Sequence, residues 1–441
     1  MKKILILGAG RSSSSLIEYL LELAVKNNYE VTVADASLDL AQQKTHKHPN
    51  SRAIFLDSGD ELKTHTEIQR ADIVVSMLPA FLHAGIATQC VKLKKSMVTA
   101  SYVSPEMKAL DEDAKKAGII LMNESGLDPG IDHASAMKII DDIKSQGGNL
   151  TVFKSYTGGL IAPESDDNPW GYKFTWAPRN VILAGQGTAR YLENGKYAFI
   201  PYTKLYTRTE KIHFDTLGDF EGYANRDSLS YRSIYGIENV DTILRGTLRK
   251  AGYCEAWNVF VQLGMTDDTY LIPESEKLSI REVVESFLPA GTGEVKNRLA
   301  GYLGIPVKGE VMDKLEWLGL FEDTKLNVKN ASPALILQTL LEDKWKLKEG
   351  DIDMIVMQHQ FEYNLKGKTH KLQSSLVVKG DDAIHTAMAK TVGYPVGIIT
   401  KLILEEKIKL TGVHTPTVRE IYEPLLTELE RLGVRFVEKE Y

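Results

Sequence analysis

The sequence predicts an α/β chain that opens with a doubly wound parallel sheet and continues into a mixed α/β region with a helical insert. Three observations predict it. Residues 1–125 alternate short apolar runs with amphipathic stretches. Runs such as Ile73-Val74-Val75 are apolar at consecutive positions, as strands buried on both faces of a parallel sheet require. From about residue 150 the chain turns to short Tyr-, Phe- and Thr-rich runs broken by Gly, Asn, Asp and Pro, the mark of an antiparallel or mixed sheet with long loops.

Taken in order, strands are expected at 3–8, 30–35, 52–56, 72–77, 96–99 and 118–122, with helices at 11–26, 37–46, 61–69, 80–94 and 105–117 between them. That alternation implies right-handed crossovers, with a ligand beyond the carboxyl ends of the strands. Thr151 to Tyr156 and Tyr202 to Thr207 read as strands of the second region. Residues 238–345 read as mostly helical, 353–362 and 370–380 as a hairpin, 382–405 and 417–432 as helices, and 433–437 as a last short strand. The domain boundaries that follow are 1–130, with 395–441 packing back on it, a mixed region from 131–237 and 350–394, and a helical insert at 238–349.

The first turn carries chemistry. Ile4-Leu5-Ile6-Leu7 leads into Gly8-Ala9-Gly10 and then a helix, and the next strand ends on Asp35. Gly8 permits the tight turn, Gly10 lets the backbone approach a pyrophosphate, and the helix points free N–H groups at it. Ser13 stands at the third glycine position. Asp35 accepts hydrogen bonds from an adenosine ribose and repels a 2′-phosphate, so the expected cofactor is NAD, with NADP as the alternative.

Composition narrows the rest. With 441 residues, 43% hydrophobic and 25% charged, the chain reads as a multidomain globular protein. A formal charge of −6 gives no electrostatic reason for nucleic acid or a membrane surface as partner. Cys90 and Cys254 make no disulfide framework, and Cys90 reads as core. Lys2 and Lys3 precede too short an apolar run for a secretory leader, and no stretch reads as a spanning helix, so the expected compartment is the cytoplasm. No metal site is expected: the ten histidines are scattered.

Two further segments suggest substrate chemistry. In Asn123 to His133, Gly126, Pro129 and Gly130 shape a turn from which Asp128 projects at the mouth of the crevice, accompanied by Glu124, Asp132 and His133. Asp128 and Asp132 as mere helix caps are the alternative. Arg226-Asp227-Ser228 and Arg245 to Arg249 place two separated arginines in what read as glycine-containing loops. Guanidinium forks bind carboxylates in pairs of hydrogen bonds, so a substrate with several carboxylates fits. Pro163 to Trp176, dense in aromatics, reads as a lid or wall over a nicotinamide or equally as loop packing.

These segments, in this order, resemble the saccharopine dehydrogenases that form L-glutamate, also called saccharopine reductases. The resemblance runs almost end to end, through Gly8-Ala9-Gly10, Ser76 to Pro79, Val98 to Tyr102, Gly126 to His133, Tyr156 to Gly159, Asn168 to Trp176, Asn225 to Ser228, Arg245 to Arg249, Asp353 to Met357 and Ala387 to Gly393. It implies a Rossmann domain, a mixed substrate and dimerisation domain, an all-helical insert, and the interconversion of saccharopine with L-glutamate and 2-aminoadipate 6-semialdehyde in lysine metabolism. It places the cofactor on Gly8, Ala9, Gly10, Arg11, Ser12, Asp35, Ala36, Ser37, Asp57, Ser58, Pro79, Ser101, Asp128, Pro129 and Gly130, with Trp176 counted alongside. Saccharopine would meet Ser101, Tyr102, Asp128, Arg226, Arg245, Gly246 and Thr247, with Asp128 and Tyr102 as the catalytic candidates. A homodimer is implied as well. Two positions depart from the family: Thr157 stands where it has cysteine, and Ala36 where its NADP-using members carry arginine. A related oxidoreductase acting on carboxynorspermidine, homospermidine or free lysine is the alternative activity.

Overall fold

The computed structural model describes residues 1–184 and 186–441. The chain divides into two compact units: residues 1–150, 363–370 and 376–441 form the first, and 151–362 with 371–375 the second.

The first unit is built on a seven-stranded sheet. Strands β1 (Lys2–Leu7), β2 (Tyr29–Asp35), β3 (Ser51–Phe55), β4 (Ile73–Ser76), β5 (Ser96–Thr99) and β6 (Ile120–Met122) join Gly412–His414 in the order 412–414, β6, β5, β4, β1, β2, β3. Every pairing is parallel. The order reverses between β1 and β4, which opens a crevice beyond their carboxyl ends. Helices α1 (Ser14–Asn27), α2 (Leu38–Thr45), α3 (Glu61–Arg70) and α4 (His83–Leu93) connect the strands, each within a residue or two of its expected place apart from two short 3₁₀ turns at their starts. The expected helix over 105–117 breaks at Leu110 into α5 (Pro105–Ala109) and α6 (Asp111–Ala117).

On α1 the buried side chains Leu16, Ile17, Leu20, Leu21 and Ala24 recur at helical spacing and form its inward stripe. A partner of that helix is Ala387–Leu404. Contrary to the sequence expectation, this 18-residue helix is long and apolar enough to cross a membrane, but 61% of it is buried inside the fold. Its apolarity is that of a core helix, and Gly393 lets it approach closely: a Cβ there would stand 2.7 Å from the Leu16 backbone nitrogen.

The second unit centres on a mixed sheet. Its strands are β7 (Asn149–Ile161), β8 (Ala189–Glu193), β9 (Lys196–Ile200), β10 (Thr209–Phe214), β11 (Gly218–Ala224), β12 (Thr242–Lys250), β13 (Asp353–Leu365) and β14 (Lys368–Lys379), with the path β10, β11, β12, β7, β13, β14 and the hairpin β8–β9 attached at β12. β7 and β12 run parallel, while β10, β11 and β12 are antiparallel neighbours. Helices fill most of 253–344.

Two expectations are corrected here, and one pair of alternatives is decided. Residues 242–250, read as the start of the helical insert and as a loop around Arg245, form a central strand. Gly246 weakens a helix and permits close packing, since a Cβ there would stand 2.5 Å from the Tyr156 ring. Tyr202–Leu205, read as strand, is a single helical turn entered through Pro201, while Leu205 and Tyr206 are drawn into the core. The aromatics of 163–176 are core as well: Trp170, Tyr172 and Phe174 are buried and pack on Tyr253, Phe260 and Trp345. Packing, the alternative to a lid, describes them.

Gly393→Ala improves intrinsic helix propensity by about 1 kcal/mol, yet the new methyl meets backbone, and overpacking costs roughly 1–3 kcal/mol. The expected outcome is a lower melting temperature by differential scanning fluorimetry; an unchanged or raised one contradicts the packing described.

Candidate functional site

In the first unit the strand ends supply a nucleotide cradle. Gly8 has φ +104°, and a Cβ there would lie 2.8 Å from the Met77 carbonyl, so only glycine lets β1 pass β4 this closely. Gly10 is exposed, and a Cβ there meets nothing within 4 Å, which leaves room for a phosphate against the backbone. No side chain caps the 3₁₀ turn Arg11–Ser13; the Ser13 N–H donates to the Gly10 carbonyl at 3.1 Å, and the N–H groups before it face outward for an anion. These residues fit a dinucleotide pyrophosphate.

Asp35 lies at the end of β2, as expected, but its carboxylate is engaged by the fold. One oxygen accepts from the Ala9 N–H and the other from the Ser37 N–H, both at 2.7 Å. It therefore ties the glycine turn to β2 besides facing any ribose. Lys44, whose pKa burial lowers, reaches back from α2 to the Ser14 hydroxyl and puts a cation beside α1. Arg11 and Ala36 are exposed. Asp57, after β3, accepts from the Gly59 N–H (2.9 Å), with Ser58 between them. Pro79 is exposed beyond β4.

The loop 123–131 follows β6. Gly130 has φ +147°, and a Cβ there would fall 2.1 Å from the Gly126 carbonyl oxygen. The Gly126 N–H donates to the Pro129 carbonyl and the Ile131 N–H to the Gly126 carbonyl, both at 2.9 Å, and the Asp128–Pro129 bond is cis. Asp128 is held half-buried on this loop, with the Tyr102 hydroxyl donating to it across a long 3.5 Å. Glu124 anchors the loop from beneath. Its carboxylate hydrogen-bonds the buried His133 ring at 2.8 Å and accepts from the Val103 N–H at 3.1 Å, while its own N–H donates to the Ser101 carbonyl at 3.0 Å. Asp132 accepts from the Gly130 N–H at 2.6 Å. Thus Ser101, Tyr102 and Asp128 belong to one braced assembly.

A residue that sequence reasoning missed stands beside it. His83, at the start of α4, is 4% exposed. Its Nδ1 lies 2.8 Å from the Ser76 hydroxyl oxygen, and its Nε2 lies 2.8 Å from Ser101 Oγ and 3.3 Å from Thr99 Oγ1. Burial lowers its pKa to about 4. The available signal was a histidine just past the Leu78-Pro79 turn, seven residues after a serine that ends a buried strand.

In the second unit the expected arginines come together. β11 and β12 pair Ala224 with Gly246, and the turn after β11 returns so that the Asn225 N–H donates to the Arg245 carbonyl at 2.8 Å. Arg226 is exposed on that turn with φ +48°, whereas the Arg245 guanidinium is buried over the Tyr231 ring, 4.1 Å from its centroid. Ser228 accepts from the Arg245 N–H at 2.9 Å. Thr247, two residues on, shares the sheet face of Arg245, and Gly246 lies on the opposite face. Thr157 is opposite Thr247 on β7, and among the described residues its Oγ1 has no hydrogen-bond partner. Trp176 is half-buried and packs on the core of this unit.

Comparison with known proteins adds the following. The saccharopine dehydrogenase NADP binding domain matches residues 4–122, and the saccharopine dehydrogenase C-terminal domain matches 126–434. The chain is 37% identical over its full length to the saccharopine dehydrogenase [NADP(+), L-glutamate-forming] of Schizosaccharomyces pombe, covering 99% of that protein. It is 36% identical to mouse mitochondrial alpha-aminoadipic semialdehyde synthase, spanning 47% of that longer protein. Among solved structures, the apo saccharopine dehydrogenase (L-Glu forming) of Saccharomyces cerevisiae superposes with a TM-score of 0.91 at 34% identity, each chain fully covered. The domain and the fission-yeast relative are named for NADP, whereas Asp35 led to the expectation of NAD.

Two outcomes follow from the geometry. Glu124→Ala removes the partner of His133 Nε2 and of the Val103 N–H, and is expected to cost about 3 kcal/mol by chemical denaturation, the range for breaking a buried polar pair. For His83, the pKa is lower folded than unfolded, so its neutral burial contributes stability fully above pH ~6.5. That contribution is lost as pH falls toward about 4. It amounts to roughly 3 kcal/mol at 1.36 kcal/mol per unit. Denaturation curves at pH 7, 5.5 and 4 should fall more steeply for the wild type than for His83→Gln; parallel curves contradict this.

Proposed function

The chain belongs to the saccharopine dehydrogenase family, and we propose that it interconverts saccharopine with L-glutamate and 2-aminoadipate 6-semialdehyde. The observation that carries this reading is the full-length match to the L-glutamate-forming enzymes, which spans both the nucleotide cradle and the two arginines. A nicotinamide dinucleotide, when bound, supplies the hydride acceptor or donor for the carbon attached to the secondary nitrogen.

The residues divide the remaining work. Gly8 to Ser12 and the uncapped start of α1 hold the pyrophosphate. Arg226 and Arg245 pair with substrate carboxylates. Burial and the Tyr231 ring fix the Arg245 guanidinium in one orientation, and a fixed orientation is what holding a reacting carbon in place demands. Asp128 takes the proton from the water that adds across the substrate C=N bond, and Tyr102 steadies the resulting charge through its hydroxyl. Thr157 offers no thiol, so proton transfer runs through Asp128 and water.

The relatives' names support NADP as the cofactor. Asp35 favours a second reading, NAD, because its carboxylate would repel a 2′-phosphate and Ala36 offers no cation to offset it. The absorbance change at 340 nm with saccharopine and each dinucleotide tests both readings. Turnover with saccharopine is expected. A tenfold preference for NADP, about 1.4 kcal/mol, upholds the first cofactor reading, and the same preference for NAD upholds the second. In either case Asp35→Asn should shift the NADP-to-NAD ratio of kcat/KM toward NADP by tenfold or more. Arg226→Ala and Arg245→Ala should each raise KM for saccharopine by at least tenfold. If neither does, the carboxylate assignment fails.

A further inference from the structure

Every strand of the first sheet from β1 to β5 ends at the proposed nucleotide site, and two of those ends are joined by an imidazole. Ser76 closes β4 and Thr99 closes β5, with Ser101 just beyond, and the His83 ring lies between them. We propose that His83 is a positioning residue acting through Ser101: Ser76 holds the ring in its Nε2–H form, Nε2 donates to Ser101 Oγ, and the Ser101 hydroxyl hydrogen is left for an oxygen of the bound ligand.

The number of hydrogens on the ring fixes the direction of each hydrogen bond. A neutral imidazole has one N–H and one lone pair, so one of its two serine neighbours donates to it and the other accepts. Burial keeps the ring neutral near pH 7. Ser76 is fully buried, and its hydroxyl has His83 Nδ1 as its one hydrogen-bond partner among the described residues. If Nδ1 carried the hydrogen, the Ser76 O–H would be left without an acceptor in a site closed to water, which is costly. Ser76 therefore donates to Nδ1, and Nε2 carries the hydrogen. Thr99 Oγ1, at 3.3 Å from Nε2, already accepts the Ser101 N–H and faces the ring as an acceptor too. Ser101 then receives a hydrogen bond from behind and is half-exposed in front. The opposite tautomer would turn the Ser101 O–H into the ring and present lone pairs to the ligand. The ring state thus leaves Ser101 a hydrogen to donate, which suits a ligand acceptor such as an amide carbonyl or a carboxylate.

This inference rests on the proposed saccharopine activity for its kinetic readout. The test is a double-mutant cycle of His83→Gln and Ser101→Ala, with melting curves confirming that each variant folds. Each single change is expected to lower kcat/KM at least tenfold, and the double variant should match Ser101→Ala within twofold. A further tenfold loss in the double variant overturns the proposal. Independently of any variant's activity, long-range ¹H–¹⁵N spectra of the ¹⁵N-histidine-labelled wild type, with the His83 signals identified by their loss in His83→Gln, should show the Nε2–H tautomer; an Nδ1–H ring overturns it. Ser76→Ala, which removes the hydroxyl that faces Nδ1, is expected to shift those nitrogen signals, and no shift counts against the proposal. If the wild type does not turn over saccharopine, the functional reading fails. The same cycle read on the dissociation constant of NADP or NAD then decides the relay: coupling upholds it and additivity overturns it.

Discussion

The arrangement of the first unit's site depends on one buried carboxylate. The Glu124 side chain joins three pieces of chain: the loop after β6, the start of α7 (Ile131–Ser145) through His133, and the loop after β5 through Val103. Placing a charged or strongly polar group inside a fold is expensive, and it persists only where every lone pair is used. Glu124 also sits at φ +54°, an unfavourable backbone for a residue with a side chain. The fold tolerates both costs at one residue, and the return is a fixed relation between Ser101, Tyr102 and Asp128.

The parallel sheet was legible because strands buried on both faces leave consecutive apolar runs, and the cradle because Gly8, Gly10 and Asp35 keep fixed offsets from such runs. β12 was not legible. Gly246 interrupts its β-propensity, and Arg245 and Arg249 look like surface residues until Tyr231 and the other tyrosines are seen to enclose them. The role of His83 could not be read locally, since Ser76, Thr99 and Ser101 meet it only after β4 and β5 pair. Tyr202 to Thr207 misled for the opposite reason. Its aromatics signal strand by composition, but after Pro201 the chain needs only one turn to bury Leu205 and Tyr206. Asp35 was located correctly, but its double engagement by Ala9 and Ser37 shows that an acid at a strand end also serves the turn itself.

The two arginines of the second unit illustrate a division that charge alone would not suggest. Arg226 is exposed and sits on a turn; Arg245 is buried, stacked and fixed at its backbone by Ser228. An exposed cation steers an anion from solvent, and a buried one sets its final angle. β11 and β12 deliver both from adjacent backbone positions, so neither arginine can shift without the other's strand.

Threonine at position 157 has a consequence beyond proton transfer. The two cysteines of the chain are both buried, and burial raises the pKa of each thiol, so neither offers a ready thiolate. With both thiols buried, neither cysteine is open to an alkylating agent, and proton transfer does not depend on keeping a thiol reduced.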